Sequence, residues 1–349
     1  MKKIKKSLSH IDSVDFSNLP FGKIFTDHMV IAHYSKKAWG DSKIVPYGPI
    51  PLLPSISALH YGQEVFEGMK AFLNRSGDAL LFRPDAHYAR FNRSLERLDM
   101  PNIPQKLFNE AIEKLIKKDS KWLKRASQLY LRPFIFATTP YLGVAPSEDY
   151  ILVVLACPTG PYYTKPLHVK IETEYSRSAP GGVGFAKVAG NYAASLLPTR
   201  RAKEKGFDQL IWTDAATHTK IEESGTMNIM CVIGGRLITP KLSNTILAGI
   251  TRDSILTLAQ ENNIVVEERD LLVKELVEAL GKNDVDELFG AGTAATIISM
   301  ESVEYNGKKY TLPKPSERSV STLLYKQIEA IKRGEQKDTH DWVRKIKLS

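Results

Sequence analysis

One lysine stands among small and apolar residues in segment 184–195 (GFAKVAGNYAAS), which contains no other charged residue. Burial among such neighbours disfavours the protonated form of an amine, so Lys187 is a candidate for a neutral nucleophile. A neutral lysine amine forms a Schiff base with a carbonyl compound. A lone lysine in a glycine-containing segment is more often a solvated turn residue, and the chemical interpretation therefore depends on residues elsewhere in the chain.

A Schiff-base lysine does little chemistry without an electron-withdrawing cofactor such as pyridoxal phosphate. Such a cofactor needs an acid at its pyridine nitrogen, and Glu222 and Glu223 precede a small-residue turn and an apolar strand. A carboxylate there would keep the ring nitrogen protonated by charge pairing. It also needs a hydrogen bond to its phenolic oxygen, and Tyr192 follows Lys187 closely in the chain. The alternative for the two glutamates is a solvated pair on a turn.

Candidate phosphate anchors lie in two small-residue segments. Segment 249–252 (GITR) places a glycine before a predicted helix start, where backbone N–H groups form an anion site. Segment 290–295 (GAGTAA) is a second small-residue loop, whose amides and Thr293 hydroxyl can converge on the same anion. Arg90 can supply the formal charge, although an isolated arginine on a helix is usually a surface residue.

The elements that must position these residues alternate between strands and helices. Apolar residues at helical spacing predict helices over 104–123, 191–205, 251–262 and 321–332, and β-rich runs predict strands over 127–135, 150–157, 209–213 and 228–233. A segment rich in proline and glycine interrupts the pattern near residue 160. The sequence predicts an α+β chain with a smaller N-terminal domain over 1–160, a linker over 161–168 and a larger C-terminal domain over 169–349, which carries Lys187.

Composition excludes several classes of function. The hydrophobic share of 43% is that of an ordinary soluble globular protein, and no apolar run approaches a membrane span. Much of the net charge of +9 lies in lysine-rich ends without an aromatic basic groove, so nucleic-acid binding is not predicted. Cys157 and Cys231 lie in apolar runs and are predicted to be buried thiols, which together with the absence of a signal peptide favours a cytoplasmic location. No histidine has metal-ligand spacing, and no metal is predicted.

The candidate residues belong to a longer series of motifs that resembles the branched-chain-amino-acid aminotransferases, a family of class IV pyridoxal-phosphate enzymes. Besides the lysine segment, the matching motifs are 61–72 (YGQEVFEGMKAF), 81–84 (LFRP), 130–133 (YLRP), 223–228 (ESGTMN), 249–252 (GITR) and 292–295 (GTAA). They occur in the family's order. The resemblance implies the two-domain fold of class IV (fold type IV), with pyridoxal 5'-phosphate at the domain interface, and a homodimer.

The resemblance also implies a role for each matching residue. Lys187 would be the Schiff-base lysine and the base that moves the Cα proton. The other cofactor contacts would be Glu223 at the pyridine nitrogen, Tyr192 at the phenolic oxygen, and Arg90, Ile250, Thr251 and Thr293 at the phosphate. Thr226 and the amide region of Ala294 would hold the substrate α-carboxylate, and an apolar pocket would be formed by Phe66, Tyr130 and Tyr162. Arg132 would accept the distal carboxylate of glutamate together with Tyr61, which would come from the partner chain.

The implied reaction transfers the amino group between L-leucine, L-isoleucine or L-valine and 2-oxoglutarate. Two rivals in the same fold are a D-amino-acid aminotransferase and an aminodeoxychorismate lyase, and the motifs around Phe66 and Arg132 argue against both. A rival outside enzymology is a basic binding protein that uses its lysine-rich ends, which leaves the pocket motifs unexplained. The sequence departs from the family two residues after Lys187, where it has Ala189 in place of the usual glycine. It also has Ala295 and Ile298 where mammalian members carry a redox pair of cysteines.

Overall fold

The structure, a computed structural model, describes residues 9–348, so the lysine-rich segment 1–6 lies outside the described residues. Contacts divide the chain into two compact units. Unit 1 comprises Met1–Tyr162 and Ile331–Ser349, and unit 2 comprises Tyr163–Ala330. The sequence prediction assigned residues 331–349 to the C-terminal domain, whereas here they belong to unit 1, because a late strand pairs within the sheet of that unit.

The strands are β1 (His28–Ser35), β2 (Ala38–Trp39), β3 (Lys43–Pro46), β4 (Glu64–Phe66), β5 (Met69–Leu73), β6 (Ala79–Phe82), β7 (Gln128–Ala137), β8 (Tyr150–Pro158), β9 (Leu167–Ile171), β10 (Gln209–Thr213), β11 (Lys220–Ser224), β12 (Met227–Ile233), β13 (Arg236–Pro240), β14 (Val266–Arg269), β15 (Leu271–Leu272), β16 (Val285–Gly292), β17 (Thr296–Tyr305), β18 (Lys308–Thr311) and β19 (Val343–Ile346). The helices are α1 (Ser57–Tyr61), α2 (Pro84–Arg97), α3 (Gln105–Lys118), α4 (Ser120–Ala126), α5 (Ala189–Ala193), α6 (Leu196–Glu204), α7 (Ile250–Glu261), α8 (Val273–Lys282) and α9 (Val320–Arg333).

Unit 1 is built on a 9-stranded antiparallel sheet in the order β19-β6-β5-β7-β8-β1-β2, with β3 paired to β1 and β4 to β7. Strand β8 is buried along almost its whole length, as its continuous apolar run predicted. Helix α3 covers this part of the sheet with one apolar stripe, formed by Phe108, Ala111, Ile112, Leu115 and Ile116. Successive side chains of β7 point to opposite faces of this sheet.

Unit 2 is built on a 10-stranded mixed sheet in the order β14-β13-β12-β16-β17-β9-β10-β11-β15, with β18 paired to β17. An additional pairing of β11 with β12 closes six of these strands into a ring, β12-β16-β17-β9-β10-β11. The apolar interior of the unit includes Val169, Ile211, Ile229, Leu288 and Val303. Within the ring, the hairpin between β11 and β12 lies beside the hairpin between β16 and β17, because β12 also pairs with β16.

The two cysteines are free and buried, Cys157 in unit 1 and Cys231 in unit 2, which confirms that they are core thiols. Within residues 9–348, no helix is both long enough and apolar enough to cross a membrane.

Candidate active site

Lys187 and Tyr192 are in direct contact in unit 2. Lys187 lies in the loop before α5, and its two neighbours in the chain, Ala186 and Val188, are buried. Tyr192 lies on α5, and Lys187 Nζ donates a hydrogen bond to the Tyr192 hydroxyl oxygen at 2.9 Å. The amine and the phenol are thus close enough to act on the same bound molecule.

Glu223 is a buried carboxylate held by two firm contacts. It lies on β11 and is 3% exposed. Its Oε1 atom accepts a hydrogen bond from the backbone N–H of Leu247 at 2.9 Å, and its Oε2 atom is 2.6 Å from Arg177 Nε. Burial raises the pKa of the Glu223 carboxyl above its ordinary value, while the Arg177 guanidinium and the Leu247 N–H oppose that shift. The glutamate pair is therefore part of a buried strand and does not lie on a solvated turn.

A small cleft in unit 2 joins several of the predicted residues. Tyr192, Glu223 and Thr226 all border it. The other residues that line the cleft are Arg177, Asn191, Ser195, Gly225 and Leu247. Tyr192, which contacts Lys187, and the buried residue Glu223 therefore border one space.

Helix α7 begins next to this carboxylate network. Gly249 is the N-cap, shortly after Leu247 in the chain, and the start of the helix has no side-chain cap within residues 9–348. A methyl group on Gly249 would meet the Asn228 amide oxygen at 1.9 Å, so this position requires glycine. Asn228 Nδ2 in turn donates to the Leu247 carbonyl at 2.9 Å and lies 3.3 Å from Glu223 Oε1. Ile250 and Thr251, the first residues of the helix, are buried beside this packed junction.

Thr293 and Ala294 lie in the turn between β16 and β17. The pairing of Asn228 with Ala291 brings this turn to the same end of the sheet as the β11–β12 turn that holds Thr226. A methyl group on Gly292 would lie 3.9 Å from the Thr226 carbonyl oxygen. The structure therefore brings the two predicted carboxylate-binding segments next to each other.

In unit 1, Phe66, Tyr130 and Arg132 form one cluster. Tyr130 and Arg132 lie two positions apart on β7 and share a face of the sheet. Arg132 Nη2 donates to the Tyr130 hydroxyl at 2.9 Å, and the guanidinium lies 4.6 Å from the centre of the Phe66 ring. The Arg132 cation is thus set into an aromatic wall.

Two further aromatic residues extend this wall. Phe21, which sequence reasoning missed, meets Tyr130 edge to face at 4.9 Å between ring centres and Tyr162 at 4.8 Å. Gly68 leaves the space that Tyr130 occupies, since a methyl group there would lie 1.9 Å from the Tyr130 hydroxyl. The position of Tyr130 therefore depends on a glycine in the strand connection beside it.

Tyr61 contacts a different part of unit 1. It is the last residue of α1, is 46% exposed, and donates from its hydroxyl to the Leu142 carbonyl. The hydrogen bond of Tyr61 is therefore not made to Phe66, Tyr130 or Arg132.

Arg90 is buried in unit 1 and bound to a carboxylate that sequence reasoning missed. Its Nε and Nη2 atoms lie 2.6 Å and 2.9 Å from the two oxygens of Glu67. His87 Nδ1 is 2.7 Å from the same carboxylate, and Glu67 is 0% exposed. Burial alone would raise the pKa of Glu67, but the charges of Arg90 and His87 hold it well below its ordinary value. A surface position for Arg90 is excluded.

Comparisons with known proteins support one family. A family model described as amino-transferase class IV matches residues 64–303. The branched-chain-amino-acid aminotransferase of Mycolicibacterium smegmatis is 42% identical over 341 residues, which are 95% of this chain and 93% of that protein. The solved branched-chain amino acid aminotransferase of Escherichia coli has a TM-score of 0.77 at 26% identity and covers 92% of this chain and 99% of its own. That of Thermobaculum terrenum, solved in its PLP-form, has a TM-score of 0.76 at 21% identity, covering 93% and 100%.

Proposed function

The chain belongs to the class IV aminotransferase family, and from that premise we propose that it is a pyridoxal-phosphate-dependent branched-chain-amino-acid aminotransferase. It transfers the amino group between L-leucine, L-isoleucine or L-valine and 2-oxoglutarate. The family resemblance and the α+β fold expected from it are confirmed. The observation that carries the proposal is the bond from Lys187 to Tyr192, whose side chain borders the same cleft as buried Glu223.

The residues of unit 2 fit pyridoxal phosphate by the chemistry of their donors. Glu223 offers a buried carboxylate to a protonated pyridine nitrogen, and Tyr192 offers a hydroxyl to the phenolic oxygen. The backbone amides of Ile250 and Thr251 and the Thr293 hydroxyl would hold the phosphate, at the start of helix α7. Arg90 of unit 1 would add the charge. When bound, the cofactor supplies an electron sink for negative charge at the substrate Cα.

Lys187 would move the proton. Its amine is the only basic nucleophile among the residues assigned to the cofactor, and the Tyr192 hydroxyl fixes the direction of that amine. It would act as a general base when it takes the proton from the substrate Cα. It would act as a general acid when it gives that proton up again.

The unit 1 cluster fits the two kinds of substrate that such an enzyme must hold. Phe66, Tyr130 and Tyr162 would pack against a branched apolar side chain, and Thr226 with the Ala294 amide would bind the α-carboxylate. Arg132 would bind the distal carboxylate of glutamate, while its guanidinium also contacts the Tyr130 hydroxyl and the Phe66 ring. Leucine, isoleucine and valine differ by about one methylene, which such a pocket separates by only ~1–3 kcal/mol, so all of them are substrates.

We also propose that the enzyme is a homodimer. Large apolar side chains stand exposed on the part of unit 1 around Tyr61, among them Leu53 at 60%, Leu59 at 67% and Leu142 at 60%. The Tyr61–Leu142 bond joins the segments that carry Leu59 and Leu142. Apolar patches of this kind usually mark a protein interface. Sedimentation should give a dimer, and Leu59→Glu should shift it toward monomer.

A cytoplasmic location is consistent with the two free thiols.

A visible absorption spectrum tests the activity. We expect the protein loaded with pyridoxal phosphate to be yellow, and the band to be bleached by L-leucine and not by D-alanine. Bleaching by D-alanine would favour the D-amino-acid aminotransferase, and a protein that binds no cofactor would overturn the proposal.

The Lys187→Ala substitution tests the role of the lysine. We expect kcat to fall by at least about 10²–10⁴-fold, the usual contribution of a positioned acid–base group. Lys203→Ala, an exposed lysine on α6, is the matched control and should leave turnover unchanged. Equal turnover in the Lys187 variant and the wild type would show that another group moves the proton.

A further inference from the structure

We propose that Arg177 is a positioning residue, whose guanidinium fixes the Glu223 carboxylate and ties to it the two backbone segments that lead to Lys187 and to helix α7. The inference rests on the proposed function, because it is there that Glu223 acquires a cofactor to bind. Arg177 lies in the loop after β9, and sequence reasoning assigned it no role.

The guanidinium of Arg177 makes contacts in three directions. Its Nε atom is 2.6 Å from Glu223 Oε2. Its Nη1 atom donates to the Thr245 carbonyl at 2.9 Å, and its Nη2 atom donates to the Gly184 carbonyl at 3.0 Å. The two charged side chains are nearly buried, with 9% and 4% of their surface exposed. The contacts therefore form in a space with little water, where such bonds are strong.

Each backbone contact leads to a residue of the proposed site. Gly184 begins the segment that carries Lys187. Thr245 lies just before Leu247, whose N–H holds the other oxygen of Glu223, and the chain then enters α7. One arginine thus connects the carboxylate, the lysine segment and the helix start.

The backbone segments that Arg177 joins are closely packed against each other. A methyl group on Gly184 would lie 2.6 Å from both the Ser178 side chain and the Thr245 carbonyl oxygen. Ser178 Oγ donates to that same carbonyl at 2.7 Å. Arginine makes these contacts from three separate nitrogens held in a rigid plane, whereas the three donors of lysine all sit on one nitrogen.

Charge gives Arg177 a second effect on Glu223. Burial raises the pKa of the Glu223 carboxyl, and the first influence that lowers it is the Arg177 guanidinium. The carboxylate of Glu222, next in the chain, raises that pKa further. Without the arginine cation, the pKa of Glu223 would rise further, which weakens its pairing with a protonated ring nitrogen.

The test is a double-mutant cycle read by cofactor binding. The variants are Arg177→Met, Glu223→Gln and the double variant, and the measurement is the dissociation constant of pyridoxal phosphate by fluorescence titration. We expect Arg177→Met to weaken binding about 10–100-fold, the usual effect of removing a partner that orients a buried functional group. In the Glu223→Gln background the same substitution should weaken it much less, because its target is gone.

The kinetic constants kcat and KM distinguish the positioning of Glu223 from a general structural role of Arg177. We expect Arg177→Met to lower kcat of the cofactor-saturated enzyme with little change in KM for leucine, and Arg177→Lys to restore part of kcat because it keeps the charge. The matched control is Arg318→Lys, a buried arginine of unit 2 that bonds to backbone carbonyls of Leu288, Met300 and Pro313. It should lower thermal stability without a change in cofactor affinity at permissive temperature.

The inference would be overturned if the two substitutions weakened cofactor binding independently, so that their separate effects on the dissociation constant multiply in the double variant. It would also be overturned if Arg177→Met bound pyridoxal phosphate as tightly as wild type does. If Arg177→Met does not fold, as judged by circular dichroism of the apoprotein, the same cycle with Arg177→Lys decides. A wild-type protein that binds no pyridoxal phosphate would instead refute the proposed function.

Discussion

Glu222 and Glu223 are neighbours on β11, yet their carboxyls have different surroundings. Both oxygens of Glu223 are held, by Arg177 and by the Leu247 N–H. Of Glu222, Oε1 accepts from Thr245 Oγ1 at 2.5 Å, while buried Oε2 has no hydrogen-bond partner among residues 9–348. Burial raises the pKa of the Glu222 carboxyl, with the Thr245 bond opposing it. Glu222 is therefore a buried acid with one unsatisfied oxygen and a raised pKa, beside an acid whose two oxygens are both held.

The raised pKa of Glu222 has a consequence for stability. Between its ordinary value of 4.5 and the raised value, the folded protein binds more protons than the unfolded chain, so the free energy of unfolding falls as pH rises. Glu222→Gln removes this titration. We expect the melting temperature of the variant, relative to wild type, to increase as pH rises from 4.5 through the raised pKa of Glu222 in the cofactor-free protein.

Glu278→Gln, at an exposed position on α8, is the control and should show no such trend. A difference between the Glu222 variant and wild type that stays constant with pH would contradict a raised pKa of Glu222.

The sequence predicted the pair Lys187 and Tyr192, which are close in the chain, and missed Arg177, whose partners come from distant segments. Lys187 and Tyr192 are five positions apart, and their contact follows from one turn of chain. Arg177 is one arginine among many, and its partners come from β11, from the lysine segment and from the loop before α7. Charge pairing between distant segments leaves no trace in spacing, so only the fold could reveal it.

At the scale of elements, the predicted helix over 104–123 is two helices, because a long-range bond competes with helix continuation. The break falls at Asp119, whose carboxylate accepts from the backbone N–H of His28 at 3.0 Å and lies 2.6 Å from its ring. Apolar periodicity continues through the break, so it could not signal it. The predicted helix over 191–205 also divides, near Ser195, whose hydroxyl donates to the Tyr192 carbonyl at 2.8 Å.

Helix α2 is joined to the connection between β4 and β5 by the buried Glu67, Arg90 and His87 cluster. Removing one partner of a buried ion pair leaves the other charge unpaired, which is strongly destabilising. We expect Glu67→Gln to lower the free energy of unfolding at neutral pH by about 3–5 kcal/mol, measured by urea denaturation.

The effect of Glu67→Gln should depend on pH. Because the pKa of Glu67 is lowered in the folded state, its contribution is present above the ordinary value of 4.5 and is lost as pH falls below it. The control is Glu110→Gln, an exposed pair with Lys114 on α3, which should change stability by less than about 1 kcal/mol. A Glu67 variant as stable as the control would show that the cluster does not hold the helix.

At the scale of the whole molecule, each unit contains one buried thiol. Burial raises the pKa of Cys157 to about 11 and that of Cys231 to about 12, so the reactive thiolate is scarce at neutral pH. We expect neither to react with a thiol reagent in the native protein. At intermediate denaturant, mass spectrometry of labelled peptides should report the opening of unit 1 and of unit 2 separately.

An added cysteine at exposed Ala216 provides the control and should react at once. Rapid labelling of Cys157 or Cys231 without denaturant would mean that the unit concerned opens frequently.

The division of the chain also has a consequence for the order in which the protein folds during synthesis. Strand β6 pairs with β5 on one side and with β19 on the other, and β19 is translated only after all of unit 2. Domains generally fold as they leave the ribosome, yet the first sheet of this chain must wait with one edge unpaired while another unit is made. An unpaired edge is a template for association with other chains. The growing polypeptide is therefore most exposed to misassembly, and most in need of chaperones, while unit 2 is being translated.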